Sequence, residues 1–73
     1  MSPRRVQEAV AANIRVAADH AGLSLTSVAE ATDVSLEKLV AHPSAGAVDL
    51  LELSRIGGLF RVPASSLLKG AAA

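Results

Sequence analysis

Serine, histidine and aspartate all occur in this 73-residue chain, so the side chains of a hydrolytic triad are present in kind. Their spacing does not assemble one. No nucleophile elbow, phosphate-binding loop or metal-ligand signature accompanies them. Cysteine is absent, which removes disulfides, thiolate metal sites and a cysteine nucleophile together. His20 and His42 have no partner at zinc-ligand spacing, and His42 is expected to pack over the end of a short helix. A bundle of this length also lacks room for a typical ligand pocket of about several hundred Å³. The expectation is therefore no enzyme, no cofactor and no metal. The chemistry that remains is non-covalent: hydrogen bonding, charge and apolar contact offered by a short stretch, Ser35-Leu36-Glu37-Lys38, with Ala41 beyond it.

The elements that must position this stretch run from Leu25 to Ala41. The segment reads as two short helices joined by a tight turn at Thr32-Asp33-Val34. Val28, Ala29 and Ala31 are small and apolar on the first piece. Val34 closes the turn, and Leu39 and Val40 continue the apolar pattern on the second. A small residue at Ala29 lets two steeply crossing helices bring their backbones close. Such a pair has the shape of a helix-turn-helix, whose second helix can lie in the major groove of DNA. Ser24 and Ser35 are placed as N-caps. The second piece has a hard limit, because His42 precedes Pro43 and is pushed out of the α region. It is expected to last about two turns, at ~3.6 residues per turn.

The remainder looks like a scaffold. Ser2-Pro3 is a helix start, and Val6, Val10, Ile14, Ala17, Ala18 and Ala21 form one apolar stripe on a long first helix stopped by Gly22. Arg4–Glu8 and Arg15–Asp19 are opposite charges at i,i+4. His42 to Ala47 is a loop by composition. Asp49 with Glu52 makes a capping box, with Val48 and Leu53 spaced as a hydrophobic staple. They open a fourth helix with Leu50, Leu53, Ile56, Gly57 and Phe60 on one face and Leu51 and Leu59 beside it. Gly57-Gly58 predicts a close approach or a kink. Val62-Pro63 leads to a fifth short helix over 65–69 that returns Leu67 and Leu68 to the core. Residues 70–73 are expected to fray. The predicted fold is all-α, a compact five-helix bundle forming one domain over 1–73, with its core about 3–69.

Composition limits the partners. Hydrophobic residues make up 51% with Phe60 the one aromatic, so the core must be aliphatic and modest, and dimerisation would help it. Seven basic and seven acidic residues cancel, which argues against an indiscriminate polyanion binder. No apolar run approaches the roughly 20 residues of a membrane span. Gln7, Glu8, Asn13 and Arg15 interrupt any signal-peptide core. A soluble cytoplasmic protein is expected, with no membrane partner.

The order of these features resembles the Cro and repressor type of helix-turn-helix domain, the lambda-repressor-like family common in phage and bacterial regulators. The residues that carry the resemblance are Ile14, Leu23-Ser24-Leu25, Val28-Ala29, Asp33-Val34-Ser35 and Leu39, then Asp49-Leu50, Leu53, Ile56-Gly57, Phe60-Arg61-Val62-Pro63 and Leu67-Leu68. They span about Val6 to Leu68. The family's turn glycine is Asp33 here, a residue that tolerates left-handed geometry. Leu25 stands where relatives often carry a phosphate-bracing Gln, and His42-Pro43 replaces the usual end of the third helix.

The resemblance implies a small transcriptional regulator that binds an operator in double-stranded DNA as a homodimer, Cro-like or repressor-like. It places Thr26, Ser35, Leu36, Glu37, Lys38 and Ala41 at the DNA. Direct readout favours Arg, Gln and Asn, none of which stands on the third helix. Glu37 would accept from a cytosine amino group, Leu36 or Ala41 would touch a thymine methyl, and Lys38 would reach guanine or phosphate. Leu51, Leu59, Leu67 and Leu68 are the expected dimer surface. The alternative is a degenerate helix-turn-helix serving as a protein–protein interaction module, with Leu25, Leu36 and Val40 as its patch. A weaker one is the DNA-binding part of an antitoxin.

Overall fold

The first helix, α1 (Pro3–Ala21), forms because Val10, Ile14 and Ala18 fall on one face at four-residue spacing, and all three are buried. The computed structural model describes residues 3–69, the side chains from 5 onward. The expected Ser2 cap, the Arg4–Glu8 pair and the tail over 70–73 lie outside that description. α1 stops where Gly22 takes φ +71°, with the Leu23 amide donating to the Ala18 carbonyl at 2.9 Å and the Gly22 amide to Asp19 at 3.2 Å. That pair of bonds satisfies carbonyls the helix would otherwise leave open.

α2 (Leu25–Thr32) starts at Ser24, whose hydroxyl oxygen accepts from the Ser27 amide at 3.1 Å. It ends at Asp33, held at φ 58° and ψ 35°, and the Val34 amide closes back onto the Ala29 carbonyl at 3.2 Å. α3 (Leu36–Leu39) is only four residues long, half of what the sequence predicts. The reason lies downstream. His42 must be extended before Pro43, and the chain turns out of the helix early, through Ala41 at φ 55°. The His42 amide then bonds the Glu37 carbonyl at 2.9 Å and the Ala41 amide bonds Lys38 at 3.2 Å. Ser35 does occupy the N-cap position, but its side chain makes no capping bond.

α4 (Leu50–Phe60) begins with both halves of the capping box, Asp49 Oδ1 accepting from the Glu52 amide at 2.7 Å and Glu52 Oε1 from the Asp49 amide at 3.0 Å. Leu53, Ile56 and Gly57 face inward. Leu50, which periodicity puts on the same face, is 68% exposed. It is the first residue of the helix, and side chains there point back past the helix start into solvent. Gly57 answers the close-approach expectation: a Cβ there would sit 2.6 Å from the Val62 carbonyl oxygen, while Gly58 faces open space. The neighbour is the chain's own exit turn through Arg61 at φ 59°, not another helix.

The last segment is a 3₁₀ helix (Ala64–Leu68) rather than a fifth α-helix. Five residues with no side-chain cap gain little from α-type bonding. It is held from outside instead: Leu67 enters the core, and the Asn13 side-chain amide donates to the Leu67 and Lys69 carbonyls, both at 2.8 Å. The fold is all-α, with four α-helices and this closing turn among the described residues. Val10, Ile14 and Ala18 of α1 meet Val28, Val34, Leu39, Leu53, Ile56 and Leu67 in one aliphatic core, so every element contributes. No helix among the described residues is long and apolar enough to cross a membrane.

The two adjacent glycines should respond oppositely to the same change. Gly58→Ala is expected to raise unfolding stability by about 0.5–1 kcal/mol through helix propensity. Gly57→Ala should lower it by about 1–3 kcal/mol through overpacking against backbone. Urea denaturation of the two variants measures both.

Candidate functional site

The α2–α3 pair is fastened from beneath. Val28, Val34 and Leu39 are buried beneath it, and buried Thr32 satisfies its hydroxyl on the Val28 carbonyl at 2.7 Å. From α4 the Arg55 guanidinium donates to the Thr32 carbonyl at 3.1 Å, closing the C-terminal end of α2. Nothing local in the sequence connects Arg55 to a residue 23 positions away.

Of the residues expected to read a partner, Thr26, Ser35, Leu36 and Glu37 are exposed, Leu36 at 41%. Val40, one turn on from Leu36, is 48% exposed and joins them. Its place in the apolar pattern fits the interior, while its spacing of four from Leu36 fits the outward patch of the interaction-module alternative, and the exposure agrees with the latter. Two expectations are corrected. Ala41 is half-buried and left-handed, so it ends α3 instead of extending its outward face. Lys38 does not project. Its Nζ sits 3.1 and 3.2 Å from the two carboxylate oxygens of Glu52 on α4. The pair is shielded, with side chains 30% exposed for Lys38 and 12% for Glu52. Lys38 also lines an apolar cleft of about 220 Å³ bounded by Val6, Val10, Val48, Leu53 and Leu68.

The outward face is thus two aliphatic side chains, Leu36 and Val40, with the exposed Glu37 carboxylate to one side. Glu30 and Asp33 are exposed nearby in sequence, and the one cation between Leu25 and Ala41 is the paired Lys38. At the start of α2 the amides of Leu25 and Thr26 precede the helical ladder, beside the Thr26 hydroxyl. His42 is exposed, with its Nδ1 accepting from the Ser44 amide at 3.1 Å, so its ring turns to the loop and not over α3. Among the described residues no group of three His, Cys, Asp or Glu is placed to hold a metal ion.

The leucines expected at a dimer surface divide. Leu51 and Leu59 are exposed, as is Leu50 at the first position of α4. Leu68 is half-buried against the core, and Leu67, 2% exposed, belongs to the protomer's own core and is withdrawn from the set. Its periodicity could not distinguish an inward leucine from an interface one.

Comparison with protein-family models, curated proteins and solved structures gives no match. What the site can do has to follow from its own side chains.

Ala41 holds a left-handed conformation that costs an L-residue roughly 1–2 kcal/mol. Ala41→Gly should relieve much of it and raise stability by about 1 kcal/mol in urea denaturation, with the helical circular dichroism unchanged.

Proposed function

We propose that this chain is a small DNA-binding transcriptional regulator of the Cro and repressor type, in which α2 and α3 act as a helix-turn-helix within a lambda-repressor-like bundle. The observation that carries the reading is the division of labour on α3. Leu39 is buried and Lys38 is tied to α4, while Leu36 and Glu37, with Val40 at the C-cap, are exposed. In a major groove the aliphatic pair would contact thymine methyl groups, and Glu37 would accept from a cytosine amino group. Phosphate would be met by the open amides at the start of α2, where the helix dipole favours an anion, together with the Thr26 hydroxyl. A single-turn recognition helix reads few base pairs, so the regulator would act as a homodimer. Its half-sites would be roughly 34 Å apart, one helical turn of DNA. The exposed Leu51 and Leu59 of α4 would lie at its dimer surface.

A second reading has its own observation. The outward face carries a carboxylate and no unpaired lysine or arginine, and phosphate contacts normally dominate DNA affinity. A protein-interaction module built on Leu36 and Val40 would need neither.

Selection from a random double-stranded DNA pool separates the two. The DNA-binding reading expects an enriched motif, and expects Leu36→Ala to weaken binding to it about tenfold, roughly 1.4 kcal/mol. A folded protein that enriches no motif contradicts that reading and leaves the interaction module.

A further inference from the structure

Lys38 has two possible anionic partners if α3 meets DNA: a phosphate outside the protein and Glu52 within it. The geometry favours the second. Both carboxylate oxygens of Glu52 hold Nζ, at 3.1 and 3.2 Å. Glu52 Oε1 also accepts the Asp49 amide at 3.0 Å, so the carboxylate is pinned by the capping box and cannot follow the lysine outward. At 12% side-chain exposure it would be left a largely desolvated charge without its cation if Lys38 swung to a phosphate. The lysine's position against Val10, Val48 and Leu53 in the apolar cleft opposes the same movement.

We infer that Glu52 withholds Lys38 from DNA phosphate and thereby holds down the chain's sequence-independent affinity for nucleic acid. This rests on the DNA-binding reading and adds a restraint to it. Lys38 is a positioning residue for α3, and Glu52 is what makes it one. Because non-specific binding comes from phosphate neutralisation, removing the only cation of α2–α3 from reach leaves discrimination to the base contacts.

Glu52→Gln is the informative change. Glutamine can still accept the Asp49 amide, so the capping box survives while the charge is lost. Binding to a mixed-sequence duplex is measured across a salt series for the parent, Glu52→Gln, Lys38→Met, the double variant and Glu30→Gln. The last matches the change in net charge without touching Lys38. In Glu52→Gln the slope of log affinity against log salt should steepen by about 0.9, one added phosphate contact, and affinity at low salt should rise several-fold. The double variant should return to the parent slope, and Lys38→Met and Glu30→Gln should keep it. Three results overturn the inference while leaving DNA binding intact: an unchanged slope in folded Glu52→Gln, the same steepening in Glu30→Gln, or a slope shallower by about 0.9 in Lys38→Met. Failure of the parent and of Glu52→Gln to bind any duplex at low salt overturns this inference together with the functional reading beneath it. Binding by Glu52→Gln alone supports it.

Discussion

A helix of four residues cannot hold itself. Its hydrogen bonds do not repay the ordering of so few residues, and it persists only where the surroundings impose it. α3 ends at Leu39, before the limit that the His42-Pro43 step sets, and the fold supplies what α3 lacks. Leu39 anchors it below, Asp33 delivers the chain to it through a left-handed turn, and the Lys38–Glu52 ion pair ties its flank to the start of α4. The outward direction of Leu36, Glu37 and Val40 follows from these three attachments.

The same economy recurs elsewhere. Three of the five described elements have eight residues or fewer, and each of these is secured by something beyond its own backbone. Asn13 holds the closing 3₁₀ turn from α1, Arg55 closes α2 from α4, and Gly57 lets the exit turn of α4 pass within contact of the helix. Among the described residues, nine buried aliphatic side chains and no buried aromatic make a core with little area per residue. Polar ties between elements therefore matter more to uniqueness than they would in a larger domain. A consequence is that Lys38 and Arg55 are both engaged inside the fold, Lys38 with its charge balanced by Glu52.

What was legible from sequence was local. Gly22 as a stop, Ser24 as a cap, Asp33 as the break and the Asp49–Glu52 box all depend on residues within a turn of one another, and the structure contains each of them. What was illegible depends on distance or on the third dimension. Lys38 looked outward because its partner lies 14 residues away. Leu67 and Leu51 carry the same side chain, and only packing separates a core leucine from an exposed one. The length of α3 was overread because a proline marks where a helix must have ended, not where it does end. Val40 reads both ways in the sequence, as apolar neighbour of the core residue Leu39 and as partner of Leu36 at a spacing of four, and its 48% exposure decides for the second.

The central claim is that α3 offers Leu36, Glu37 and Val40 to double-stranded DNA from a fixed seat. Amide and methyl chemical shifts of the labelled protein, followed while a duplex is added, test it most directly. The account predicts shifts concentrated at Thr26, Leu36, Glu37 and Val40, with Leu39, Ile56 and the Lys38–Glu52 pair largely unmoved. Shifts confined to Leu50, Leu51 and Leu59 of α4, or none anywhere, would contradict it.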